Sequence, residues 1–564
     1  MTTLNDSHHF FDFGKDAFGT LMLMLKSPPR DSLVIHIGEK LEGTHQIDRK
    51  PGGTIRYQRI VLRNPPLNKV FTVPFHKDGR NDQGAAVILP DSLGVIVPFR
   101  YVEIEGLKGS PEGIRLTQNV LHYRFNDTAS AFSSSDTVLN RVWELCKYTI
   151  KATTFAGLYV DGDRERIPYE ADAYINQLGH YAVDSEYDLA RRTNEYFMQH
   201  PTWPTEWLLH TVPLFYNDYL YTGNTEALAR HYEALKRKTL AALAREDGLL
   251  DTDSSRITPA LMRSLGFSDD RTRMSDIVDW PLGERDGYEM KRVNTVVNAF
   301  YYMNLVRMAE IAGVLGKKQE AAAFAEKAAR LKAVFNRKLL DPRTGIYVDG
   351  EGSSHSALHA NVFALAFGLV PEAQVKPVIA FIKSRGMACS VYAAQYLLEA
   401  LYRYGEADYA LQLMNSTTGD RNWYNMIRSG STMALEAWDI RYKPNLDWNH
   451  AWGTAPANII PHDMWGIRPA KPGFAKARIQ PQLGTLTESA IKVPTIKGAI
   501  HAEYRQLDAS QKQFVITLPE GMEGEFVLNQ GDRNRLFLNG RPVNAAGGAV
   551  QLREGKNEIV IKRT

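Results

Sequence analysis

Up to about residue 130 the chain alternates apolar and polar positions with a period of two, as in "SLVIHIGEK" and "TIRYQRIVL". Turn-forming runs such as "RKPGG", "RNPP" and "KDGRNDQG" separate these segments. Such alternation buries one face of a strand, and residues 1–130 are expected to form an N-terminal β-sandwich. Near Ser135 the period lengthens. "SDTVLNRVWELCKYTIKATTF" opens with a Ser/Asp cap and places Val138, Val142, Leu145 and Ile150 at helical spacing. Ten further helical segments follow, among them "DAYINQLGHYAV", "EWLLHTVPLFYNDYLYTG", "TEALARHYEALKRKTLAALARE", "NTVVNAFYYMNLVRMAEIAGVLG" and "KQEAAAFAEKAARLKAVFNRKL". A short helix is expected around "STMALEAWD". Breaks as short as "GN", "GKK" and "GE" require antiparallel helix pairs. The helices share no fixed period, which argues against a solenoid. Residues 131–466 are therefore expected to close into an (α/α)6 toroid, with long loops at one end forming a site. From residue 467 short alternating strands return, including "HAEYRQL", "QFVITL", "GEFVLNQ" and "NEIVIKR". They predict a C-terminal β-sandwich over 467–564. The fold class is multidomain α plus β.

Composition narrows the function classes. A net charge of +3 on 564 residues argues against nucleic acid or an anionic membrane as partner. Two cysteines, Cys146 and Cys389, make neither a disulfide framework nor a zinc cluster. The opening "MTTLNDSHHFFDFGKD" has no basic segment leading into a long apolar run, and "LMLML" at 21–25 is too short for one. No stretch approaches a membrane span. The expectation is a soluble, cytoplasmic protein.

Two acidic clusters carry the candidate chemistry. "LYVDGDRERIPYEAD" gathers Asp161, Asp163, Glu165, Glu170 and Asp172 around Arg164 and Arg166. A solvated turn could look like this. A calcium loop is disfavoured, because the arginines compete for the carboxylates and the Asp-x-Asp-x-Asp-Gly spacing is missing. A site for a polyhydroxy ligand remains. Downstream, "RSGSTMALEAWDIRYKPNLDWNHAWGTAP" holds Glu436, Asp439, Asp447 and His450 among Trp438, Trp448 and Trp452. "DIVDWP" adds Asp279 beside Trp280. Carboxylates beside flat apolar faces suit a sugar, although large aromatics also simply fill cores. A closed toroid makes its first and last hairpins neighbours. Two carboxyl groups across a sugar-sized pocket are the apparatus of glycoside hydrolysis.

"DGDRERIPYEAD" resembles the Asp…Arg-Glu-Arg…aromatic…Asp motif of the bacterial α-L-rhamnosidase family of inverting glycoside hydrolases. "GSTMALEAWD" is similar to its Gly-x-Thr-…-Glu-x-Trp motif, and "NHAWGT" to its Asn-His-x-x-Gly motif. "FFDFGKDAFG" and "KPGFAKARIQPQLG" resemble parts of the flanking β-domains. The resemblance implies Glu165 as general acid and Glu436 as general base, with Asp161, Arg164, Tyr169, Asp172, Asp279, Trp280, Trp438 and His450 binding the sugar. It implies no metal and no organic cofactor. The partner would be a small glycoside or oligosaccharide, with a homodimer open as the assembly. The implied reaction releases terminal non-reducing α-L-rhamnose by single displacement. Such an acid needs a pKa raised from about 4.3, which burial and neighbouring carboxylates favour and arginines oppose. The chain departs from the family pattern at four places. Tyr169 and Leu435 replace tryptophans, Val278 replaces a glycine, and Asp161 stands three rather than four residues before Arg164. Rival readings are another glycosidase, an unsaturated uronyl hydrolase, or a sugar epimerase using histidines such as His180, His210, His355, His359 or His450. A non-catalytic carbohydrate-binding protein is the rival outside the enzymes.

Overall fold

The period-two segments before residue 130 pair into one antiparallel, seven-stranded sheet. The structure, a computed structural model, describes all residues except 6, 30, 108–112, 270, 271, 530–533, 545–547 and 564. The last residue of "GEFVLNQ", Gln530, thus lies outside the described residues. The strands run side by side in the order Thr2–Asn5, His8–Leu25, Val97–Glu105, Ser32–Gly38 and Tyr57–Arg63. Phe71–Thr72 and Ile114–Val120 pair along the second half of His8–Leu25. The long strand thus has two sets of partners, with a register shift between Asp12 and Ala17. Its inward residues Leu21, Leu23 and Leu25 share one core with Leu33, Ile35, Ile37, Phe99, Val102 and Ile104.

By packing, the chain divides into two units. The first comprises Met1–Phe125, Glu144–Pro168 and Thr417–Thr454. The second comprises Asn126–Trp143, Tyr169–Ser416 and Ala455–Thr564. In the first unit a second core, built from Phe18, Ile96, Ala152, Phe155, Ala156, Val160 and Met433, lies between the sheet and the two acidic segments. Phe18 stacks on Phe155 with ring centroids 3.7 Å apart.

The second unit holds a closed ring of six helices. Glu170–Val183, Thr211–Thr222, Thr295–Val314, Leu358–Ala366, Ala393–Arg403 and Ala455–Ile459 each touch the next, and the last touches the first. Inner helices of this kind are apolar all round, and every residue of Leu358–Ala366 is buried. Hairpin partners lie outside them. Lys318–Leu339 buries only the stripe Phe324, Ala328, Leu331, Phe335 and Leu339, spaced three or four apart. Two expected helices are shorter than their periodicity suggests. "EWLLHTVPLFYNDYLYTG" splits into Thr205–Leu208 and Thr211–Thr222, with Pro213, which lacks an N–H, in the first turn of the second. "TEALARHYEALKRKTLAALARE" stops at Lys238, two residues before Leu240 takes a left-handed conformation. Pro259–Ser264 and Ala455–Ile459 are helices that the periodicity does not mark.

The C-terminal strands form a four-stranded and a seven-stranded sheet. The edge of the larger one is Ala131–Ser134, which pairs with Glu488–Val493. That segment was expected to open the helical region. The helix starts only at Thr137, where Leu139 N–H donates to Asp136 Oδ1 at 2.9 Å. No helix among the described residues is long and apolar enough to cross a membrane.

Candidate active site

Residues 158–168 of the first acidic segment and the stretch around Glu436 both belong to the first unit. The helix Thr137–Ala152 tightens into Thr153–Ala156 and ends at left-handed Gly157. The chain then turns back on itself. Asp161 N–H donates to Ile167 O at 3.0 Å, and Ile167 N–H returns a bond to Asp161 Oδ1 at 2.9 Å. Inside this loop Gly162 has φ +105, and a Cβ there would lie 2.8 Å from both Asn449 O and Asp447 Oδ2. Only glycine fits so close an approach. Asp163 is buried between two arginines. Arg56 Nε donates to its Oδ2 at 2.7 Å and Arg166 Nη2 to its Oδ1 at 2.6 Å. Asp163 N–H donates to Asn449 Oδ1 at 2.8 Å, while Asn449 Nδ2 donates to Glu39 Oε1 at 2.9 Å. Arg166 itself sits at φ +55 and also donates to Ile96 O. The two arginines therefore diverge. Arg166 ties the loop to the sheet, and Arg164 points the other way.

Arg164 Nη1 donates to Glu436 Oε2 at 2.6 Å, and its Nε lies 3.4 Å from Glu165 Oε1. One guanidinium thus stands between the two glutamates, so those oxygens are within roughly 8 Å of one another. The environments differ. The Glu165 side chain is 36% exposed, and Glu436 is 2% exposed. Around Glu436 the chain is not helical, contrary to the short helix expected over "STMALEAWD". Its backbone groups bond elsewhere. Ala434 N–H donates to Thr149 Oγ1 at 2.8 Å, His450 N–H to Ala434 O at 2.9 Å, and Glu436 N–H to Asp447 O at 3.3 Å. Such bonds to distant chain replace the i to i−4 ladder.

Glu436 Oε2 also accepts Asp447 N–H at 3.3 Å, and Lys443 Nζ lies 3.3 Å from its Oε1. Trp452 Nε1 donates to Glu436 O at 2.9 Å. Burial, then the adjacent Asp447, pushes the Glu436 carboxyl above its usual range, against His450, Arg164 and Lys443. Burial acts the same way on Asp447, but His450, whose Nδ1 lies 3.1 Å from Asp447 Oδ1, together with Arg164 and Lys443 brings that carboxyl below its usual range. Glu436, Asp447 and His450 offer atoms within 4.8 Å of one another. Arg164 and Lys443 already lie against the Glu436 oxygens, and their charge repels a metal cation.

The remaining candidates lie in the second unit. Tyr169 precedes the helix Glu170–Val183 and packs edge-on against Trp207. Asp172 is buried in that helix's first turn. Glu170 is drawn elsewhere, accepting Thr202 N–H at 3.1 Å. Asp279 is fully enclosed. Its Oδ2 lies 2.7 Å from His359 Nε2 and accepts Ser390 N–H at 2.9 Å, and its Oδ1 accepts Trp280 N–H at 2.8 Å. Trp280 is half-buried.

A family model described as the bacterial alpha-L-rhamnosidase 6 hairpin glycosidase domain matches residues 127–464. The chain belongs to the bacterial alpha-L-rhamnosidase family. The concanavalin-like domain of such rhamnosidases matches residues 2–122, and their C-terminal domain residues 466–539. An alpha-L-rhamnosidase of Formosa agariphila is 23% identical over 535 residues, covering 82% of this chain and 52% of that protein. One of Alteromonas sp. is 22% identical over 562 residues, covering 90% and 56%. The chain spans about half the length of these relatives. Among solved structures, alpha-L-rhamnosidase from Dictyoglumus thermophilum superposes with a TM-score of 0.78 at 18% identity, covering 100% of this chain and 63% of that one. Streptomyces avermitilis alpha-L-rhamnosidase complexed with L-rhamnose gives 0.76 at 15%, covering 99% and 52%. At these identities the likeness is one of fold.

Within this rhamnosidase-family fold the first unit brings together Asp161, Arg164, Glu165, Glu436 and His450 of the expected residues. Asp161 spends one oxygen on the loop clasp, and its other stands 3.9 Å from Arg164. Trp438 is fully enclosed and edge-on to Trp423. Sequence reasoning missed Lys443, Asn449, Arg56 and Glu39. A lone lysine in "RYKPNLD" reads as solvated, and Arg56 and Glu39 sit about a hundred or more residues upstream of the motif they support. Asn449 was within a quoted motif, and its place beside His450 was the available signal.

Proposed function

We propose that this chain is a glycoside hydrolase that releases terminal α-L-rhamnose from small rhamnosides by an inverting single displacement. The observation that carries the reading is Arg164 held between two glutamates in unlike surroundings. Glu165, a third exposed, can reach a leaving-group oxygen and protonate it. Glu436, enclosed and ion-paired, takes a proton from the attacking water. The bound of roughly 8 Å on their oxygens admits the carboxyl spacing of about 6.5–9.5 Å that leaves room for that water. Arg164 keeps the base charged and its side chain aimed. The names of the relatives, one of them complexed with L-rhamnose, support the sugar.

The test is turnover of an aryl α-L-rhamnoside followed by proton NMR of the fresh sugar. Inverted configuration is expected; retained configuration makes Glu436 a nucleophile and overturns the mechanism. Glu436→Gln should lose activity on aryl and natural rhamnosides alike. Glu165→Gln should lose far more on a natural disaccharide, whose basic alkoxide needs the proton. Because the base works ionised and its pKa is raised, activity should fall on the acid side at a pH above the ordinary glutamate value of 4.5.

A further inference from the structure

A buried lysine must be paired, because its charge is costly to remove from water. The Lys443 side chain is 3% exposed. Its ammonium lies 3.3 Å from Glu436 Oε1 and donates to Asn445 Oδ1 at 2.9 Å. The backbone carbonyl of the same Asn445 accepts Arg164 Nη1 at 3.2 Å, so one residue locates both cations. The Glu436 carboxylate is thereby gripped on both oxygens, Oε2 by Arg164 and Oε1 by Lys443. We propose that Lys443 is a positioning residue for the base, fixing the plane of the Glu436 carboxylate and balancing the second negative charge that Asp447 brings beside it. This rests on the reading of Glu436 as the base.

The charges facing Glu436 are Arg164, Lys443 and His450 on one side and Asp447 on the other, with Asp161 and Glu165 drawing on Arg164. Without Lys443, one permanent cation faces two carboxylates. Ionised Glu436 is then disfavoured, consistent with Lys443 being among the groups that hold its carboxyl down. A full charge at this range moves a carboxyl by about one pH unit or more.

The experiment is the pH profile of kcat/KM on an aryl α-L-rhamnoside for the wild type, Lys443→Met, Lys443→Arg and Glu436→Gln. Lys443→Met should move the acid limb up by about one pH unit or more, with the loss mainly in kcat. Lys443→Arg should return the limb to its wild-type position, whatever its turnover. Should Lys443→Met not fold, Asn445→Leu, which removes the side-chain oxygen that accepts from Lys443 and leaves the backbone carbonyl, should shift the limb the same way by less. An unmoved limb in Lys443→Met, or in Asn445→Leu if that is the variant that folds, overturns the proposal while Glu436→Gln remains inactive. Full turnover by Glu436→Gln overturns the base assignment itself, and the role of Lys443 with it.

Discussion

At the scale of single residues, the site depends on backbone that only certain side chains tolerate. Gly162 sits at φ +105 directly under Asp447 and Asn449. Gly162→Ala must push that second loop away or refold the first, because the obstructing atoms include a backbone carbonyl. We expect a stability loss of about 1–3 kcal/mol by urea unfolding. Turnover should fall by at least about tenfold, since a small misplacement of catalytic groups is costly. Wild-type turnover would show that Asp447 and Asn449 need not stay where they are. Arg166 is the complementary case, a bulky residue held at φ +55 because its guanidinium is pinned by Asp163 and Ile96. The motif "DGDRER" marked the spot in the sequence. The family resemblance singled out Arg164 as a sugar-binding residue, but its place against Glu436 follows from the turn.

At the scale of elements, long helices were legible and short ones were not. Thr295–Val314 and Lys318–Leu339 fall where periodicity puts them. Ala455–Ile459, which closes the ring, is five residues long and contains a proline. The short helix Thr205–Leu208 shows what such pieces do. Its Glu206 accepts Ile277 N–H at 3.0 Å and Val278 N–H at 2.9 Å, holding Val278 at φ +63 where the family pattern has glycine. A β-branched residue is strained there. Glu206→Gln would turn an NH2 toward one of those two N–H groups, leaving a buried donor unpaired. It should cost about 1–3 kcal/mol in urea unfolding. An unchanged midpoint would mean that the loop is held by other contacts.

At the scale of the whole molecule, the two acidic loops are braced by a buried carboxyl pair in the N-terminal sheet region. Glu39 accepts Asn449 Nδ2, and the carboxyls of Asp16 and Glu39 act on one another. Burial raises the Asp16 carboxyl to about 7 from 3.8, with Asp163 adding to the rise, and raises Glu39 as well. A raised carboxyl binds its proton more tightly in the folded state. Its contribution to stability is complete below the unfolded value and is lost as pH rises through the folded one. Global stability should therefore decline between about pH 4 and pH 7 through this pair, by on the order of a few kcal/mol. In Asp16→Asn that slope should flatten. Chemical unfolding of both proteins across this range measures it, and parallel curves would refute the raised Asp16 carboxyl.

The alternation and helical spacing along the chain were enough to determine the order of sheet, helices and sheet, because period decides which face of an element is apolar. It was the resemblance of two local motifs to the bacterial α-L-rhamnosidase family that pointed to Glu165 and Glu436. The partners of those glutamates were decided only by tertiary structure. Lys443 reaches Glu436 from the same loop, while Arg56, Asn449 and Glu39 brace the loop before Glu165 through bonds spanning up to 410 residues, and hydrogen bonds of that reach leave no periodic trace. The loop around Glu436 is the clearest instance. Its local pattern suits a helix, but in the fold its backbone finds partners on Thr149, Asp447 and His450. A buried backbone follows the bonds available to it, and those exist only once the chain has closed on itself.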